Sequence, residues 1–167
     1  MRAIVPSDHM LRFGGRDYPA SVGWGGRRVN KREGDGATPV ALLALRQVLY
    51  RADRLAQPAT LVPVWALEPD DGWCDDPASA TYNRPVRLPV ATSAEALWRD
   101  DHLYDIIGVL GWNDAPVQPN LGSAIFLHLR RPDGGPTDGC IALEHDDLLA
   151  VLAGGLTEIM VTSQTGA

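Results

Sequence analysis

The stretch Ser123–Leu143, SAIFLHLRRPDGGPTDGCIAL, decides how this chain is read. It opens on SAIFLHLRR, an apolar run with a histidine in its middle, which reads as a buried strand. A turn-rich connection, PDGGPTDG, follows. The chain then re-enters an apolar strand, CIAL, at Cys140. Two strand signals joined by so short a connection become neighbours. That places His128 beside Cys140. A free cysteine is usually a small buried hydrophobe. Here a glycine precedes it, so the backbone can approach a ligand closely, and the turn leaves the side chain held yet reachable.

A thiol with a pKa of about 8.5 is mostly protonated at neutral pH, and a nearby imidazole can take its proton or stabilise the thiolate. That pairing is the starting point of cysteine acyl transfer. Attack on an amide carbonyl develops an oxyanion, for which the backbone N–H groups of Gly139 and Cys140 are the best placed donors. His145 with Asp146 and Asp147 fits the polar first turn of a helix, where acidic residues favour the dipole. No ligand spacing for a metal is present, and no cofactor is expected.

Outward from this stretch, LYDIIGVLGW (103–112) reads as a buried strand and LTEIMVTS (156–163) as a closing one. A helix is expected from about Glu144 to the Gly154-Gly155 pair. RAIV (2–5) and HMLRF (9–13) are short strand candidates, and Gly23–Gly36 is a glycine- and charge-rich loop. VALLALRQVLYRAD (40–53) suits a helix by propensity and a strand by its β-branched and aromatic end. ATLVPVWALEP (59–69) reads as a strand interrupted by Pro63. Pro69–Pro89 reads as a long loop, of the kind that often carries function. SAEALWRDD (93–101) predicts a short helix capped by Ser93. The sum is a mainly β domain, a sandwich or mixed barrel-like sheet with a few short helices.

The totals agree. The 167 residues suit one domain, 1–167. Hydrophobic residues make up 45%, enough for a core, and the net charge of −6 argues against non-specific nucleic-acid binding. Two cysteines, Cys74 and Cys140, cannot build a disulfide scaffold. No window approaches a membrane span, and no signal peptide is visible at the N-terminus.

Three ordered segments, KREGDGATPV (31–40), GSAIFLHL (122–129) and PTDGCIAL (136–143), resemble the L,D-transpeptidase catalytic domain of bacterial cell-wall enzymes. His128 matches the family's strand histidine. Thr137, Gly139 and Cys140 match its Ser/Thr-His-Gly-Cys motif, and Gly34–Pro39 its upstream GDGxTP segment. Asp138 stands where the family has a second histidine, and Ala142 where it has Arg or Asn. Leu129 replaces a small residue, and the His128–Cys140 connection is short. A carboxylate at 138 is expected to raise the thiol pKa.

The resemblance implies a mainly β catalytic fold and catalytic Cys140, His128 and Gly139. It implies peptidoglycan stem peptides as donor and acceptor, with 3,3 or 1,3 cross-links, or hydrolysis by the same pair. An inactive binding domain on the same fold is the remaining reading. Carbapenems are the expected inhibitors, and the periplasm or cell envelope the expected location, with the cytoplasm as the alternative. Thr137, Asp138, Tyr82, Asn83, Arg84, Trp112, Asn113 and Arg130 are the expected substrate contacts, with Arg130 or Arg131 meeting a stem carboxylate.

Overall fold

The computed structural model describes residues 1–163. Its strands are β1 (Arg2–Ser7), β2 (Met10–Phe13), β3 (Arg16–Ser21), β4 (Arg27–Arg28), β5 (Thr38–Pro39), β6 (Leu42–Tyr50), β7 (Val64–Ala66), β8 (Asp71–Cys74), β9 (Pro85–Arg87), β10 (Ala94–Ala96), β11 (Ile106–Leu110), β12 (Phe126–Leu129), β13 (Ile141–Leu143) and β14 (Glu158–Val161). Among the described residues a single helix, α1 (His145–Ala153), lies between β13 and β14. The main sheet runs β11-β12-β13-β3-β2-β1-β14-β6-β7, and β6 also pairs with β11. That last pairing closes eight strands into a ring, so few edges are left to cover. The architecture is the mixed, barrel-like sheet expected from the sequence.

The ambiguous segment at 40–53 is the strand that closes the barrel. The first residues of β6 pair with β14 and the rest with β11, while β7 joins its outer edge in parallel. Three partners along nine residues outweigh its helical propensity, because strand preference is largely a matter of neighbours. The helix expected at Ser93 is absent. Ala94–Ala96 instead pairs antiparallel with β8, Ala94 opposite Cys74 and Ala96 opposite Gly72. The stretch expected as loop, Pro69–Pro89, contains β8 and β9, which pair with each other. Together β9, β8 and β10 form a three-stranded flap. β3 is a strand the sequence did not announce, since Pro19 and two charges interrupt its pattern. Among the described residues no helix is long and apolar enough to cross a membrane.

Alternation along the strands sorts side chains between two cores. Ile106, Leu110, Leu127, Leu129, Ile141 and Leu143 point into the barrel, where α1 adds Leu148, Val151 and Leu152. Ile107, Val109, Phe126 and Cys140 point outward, into a second core capped by Leu67, Trp73, Leu97 and Tyr104. The flap therefore packs against the outer face of β11–β12. His128, two residues after Phe126, shares that outer face.

The glycine-rich loop earns its composition by close packing. A Cβ on Gly23 would lie 2.0 Å from Gly36 O and 2.9 Å from Gly139 Cα. Gly36 has φ +62° and its own Cβ would strike the Trp24 ring. Three backbones thus meet where any side chain would hold them apart. Gly23→Ala is expected to destabilise the protein by about 1–3 kcal/mol, the cost of an overpacked site. Urea denaturation measures it; an unchanged midpoint would show that the loop relaxes freely.

Candidate active site

β12 and β13 are parallel, with Leu127 opposite Ile141 and His128 opposite Ala142. The register puts Cys140, at the mouth of β13, beside Phe126. The Phe126 N–H donates to Cys140 Sγ at 3.3 Å, and the thiol donates to Ala124 O at 3.2 Å. His128 sits two positions further along the same face. Its Nδ1 lies 2.8 Å from Leu129 O. A carbonyl only accepts, so Nδ1 carries the proton and Nε2 keeps the lone pair. Tyr104 packs edge-on against the His128 ring, centroids 5.2 Å apart.

The cysteine turn is held from behind by the glycine-rich segment. Thr137 N–H donates to Val22 O, and Trp24 N–H to Thr137 O, both at 2.9 Å. Thr137 Oγ1 donates to Cys140 O at 2.7 Å and accepts the Gly139 N–H at 3.2 Å. Thr38 Oγ1 donates to the same carbonyl at 3.3 Å and accepts Gly23 N–H at 2.9 Å. Gly139 has φ +133°, where a side chain is strained, and a Cβ there would lie 2.9 Å from Ala37 O. The Asp35 carboxylate closes the loop. Burial alone would raise its pKa, but Lys31 at 2.6 Å and the N–H groups of Ala37 and Arg32 outweigh that and lower it.

Cys140 and His128 line one cavity of about 560 Å³, within the range of small-ligand sites. Thr137 and Asp138 line it too. So do residues the sequence reading did not single out: Lys31, Glu33, Asp75, Glu95, Arg99 and Tyr104. Glu95 was hidden inside the expected helix at Ser93. Only the pairing of β10 with β8 turns it towards the thiol, and a single sequence carries no signal for that pairing.

The other expected contacts lie away from this cavity, spent on internal hydrogen bonds. Tyr82 donates its hydroxyl to Glu33 Oε2 and accepts Gly122 N–H at 3.0 Å. Asn113 Nδ2 donates to Gln118 O and Gly122 O. Trp112 Nε1 donates to Leu121 O, and Arg84 to Asp114 O. Arg130 holds Ser21 Oγ at 2.9 Å and lines a neighbouring cavity of about 700 Å³. Asn83 acts one step behind the thiol. Its Oδ1 accepts Trp73 Nε1–H at 2.9 Å and Ala124 N–H at 3.1 Å. Ala124 sits at φ +52°, an uncommon conformation for a residue with a side chain, and its carbonyl is the one that accepts the thiol's hydrogen bond.

Both candidate catalytic groups rest neutral. Burial pushes the Cys140 thiol well up, and the nearby Glu95 and Asp138 carboxylates push it further. Burial drives His128 down from 6.5 to about 4, against the hydrogen bond to Leu129. The arrangement is a thiol beside a neutral base rather than a thiolate–imidazolium pair.

Two consequences are measurable. Asp138→Asn removes one of the charges that raise the thiol, so the pH profile for Cys140 alkylation should move to lower pH. His128 binds its proton less readily folded than unfolded. Its contribution is therefore fully present above pH 6.5 and is lost as pH falls towards about 4. Over that window stability should fall by about 3 kcal/mol more in the wild type than in His128→Gln, as read by denaturant titration.

The family model for the L,D-transpeptidase catalytic domain matches residues 4–153, nearly the whole chain and every element of this site. No curated protein and no solved structure matches at a significant level. The chain therefore belongs to the L,D-transpeptidase catalytic domain family.

Proposed function

We propose that this protein is a peptidoglycan L,D-transpeptidase that works through a thioester on Cys140. One observation carries the reading: Cys140 and His128 share the outer face of a parallel strand pair and line one cavity. Cys140 Sγ attacks the amide that joins an L-centre to a D-residue in a stem peptide. His128 Nε2 takes the thiol proton and passes it to the leaving amine. The Gly139 N–H is committed to Thr137 Oγ1, so the Cys140 N–H is the donor for the developing oxyanion. A neighbouring stem peptide's side-chain amine then resolves the thioester and makes the cross-link. The linkage is 3,3 or 1,3 according to which donor bond is cut. The substrate lies in the cell envelope, and the periplasm or envelope is the proposed place of action.

The neutral resting pair supports a mechanism in which the proton moves only as the nucleophile attacks. A low thiolate population costs rate but spares the thiol from oxidation. Intact-protein mass after incubation with muropeptides, and separately with a carbapenem, tests the reading. A covalent adduct on wild type and none on Cys140→Ala is expected, with dimeric muropeptides as product. Trimmed monomers alone would make the protein a hydrolase. No adduct and no product from folded protein would leave a binding domain.

A further inference from the structure

The charges around the cavity are unevenly matched. Its cations are already engaged with carboxylates. Lys31 pairs with Asp35 at 2.6 Å, Arg99 holds Asp101 with two hydrogen bonds, and Arg131 pairs with Asp133. Four carboxylates that line the same cavity form no salt bridge among the described residues; Glu33 is taken up by the Tyr82 and Ser123 hydroxyls, which leaves Asp75, Glu95 and Asp138. Asp75 Oδ1 is buried without a hydrogen-bond partner. A carboxylate in that state calls for a cation or a donor from outside the chain.

Glu95 is the best held of the three. The Tyr104 hydroxyl donates to its Oε1 at 2.5 Å, and the Tyr104 ring packs on His128. The carboxyl is thereby held at the wall of the cavity that also holds the thiol, with Tyr104 between it and His128. We propose that Glu95 binds the ammonium group of the acyl acceptor and takes its proton as the amine attacks. This rests on the transferase reading above. The acceptor ammonium gives one proton to the Glu95 carboxylate, and the neutral amine forms a C–N bond at the thioester carbonyl. The C–S bond breaks as the tetrahedral intermediate collapses. The second amine proton passes through His128 to the departing sulfur, restoring the Cys140 thiol. Glu95 releases its proton to solvent. Burial, with Asp75 and Asp138 nearby, raises the Glu95 pKa despite Tyr104 and Arg99, which suits a carboxylate that must accept a proton.

The test separates acylation from transfer, using full-length protein, a carbapenem, a muropeptide acceptor with a free amine, and hydroxylamine as an uncharged nucleophile. Glu95→Gln should form the carbapenem adduct at least as fast as wild type, because removing a negative charge eases thiol ionisation. Transfer to the muropeptide amine should fall about tenfold or more, through KM for the acceptor, the loss expected for a charged hydrogen bond. Transfer to hydroxylamine should not fall with it. Glu95→Asp, which keeps the charge, should recover the preference for the amine. Equal loss with both nucleophiles, loss of adduct formation in the same proportion, intact amine transfer, or an Asp variant that behaves like Gln would each overturn the proposal. A wild type that never forms an adduct would overturn the transferase reading beneath it, an outcome visible before Glu95 is changed.

Discussion

The parallel pairing of β12 with β13 is the constraint on which the site depends. Parallel neighbours need a crossover, normally a helix. Here the crossover is a short turn-rich segment without one, shaped in part by its own turns, Gly134 N–H to Arg131 O and Gly139 N–H to Thr137 Oγ1. Its remaining anchors come from outside, from Val22 and Trp24 on Thr137 and from Thr38 on Cys140. The same bonds that satisfy the crossover therefore position the cysteine. The three-way approach of Gly23, Gly36 and Gly139 follows, because those bonds form only when the backbones touch.

The register also separates chemistry from stability. On β12 the residues at 127 and 129 fill the barrel, while 126 and 128 face the flap. A one-residue slip would turn His128 into the barrel and Leu127 out to the cavity. The apolar side chains on the inner face thus enforce the placement of the polar one on the outer face. The flap then supplies the burial that keeps thiol and imidazole neutral. Trp73 and Tyr104 both pack edge-on against Phe126, the residue directly under the thiol.

What the sequence made legible was local. The strands around His128 and Cys140 were announced by apolar runs bounded by turn residues, and the helix after β13 by its acids and glycines. The barrel closure by β6 was not, because apolar periodicity in a short run fits either state and only its three partners decide. The flap was missed for a related reason. Its strands are three or four residues long and are set among turn residues, so they read as loop and cap. Tyr82, Asn83, Trp112 and Asn113 look like binding residues in isolation. Their polar groups instead bind backbone and neighbouring side chains, which is what long irregular segments need if they are to be buried.

The Asp138 carboxylate gains its meaning from Glu95. A single carboxylate beside a buried thiol would only hinder ionisation. Two of them, with Asp75 in the same cavity, give it a negative character that its cations relieve only in part, since Lys31, Arg99 and Arg131 face carboxylates of their own. Such a field works against forming the thiolate and in favour of drawing in an ammonium group. In the proposed reaction the two effects act on different steps, the first on acylation and the second on transfer. A site that trades speed in one step for selectivity in the other is what this charge distribution would produce.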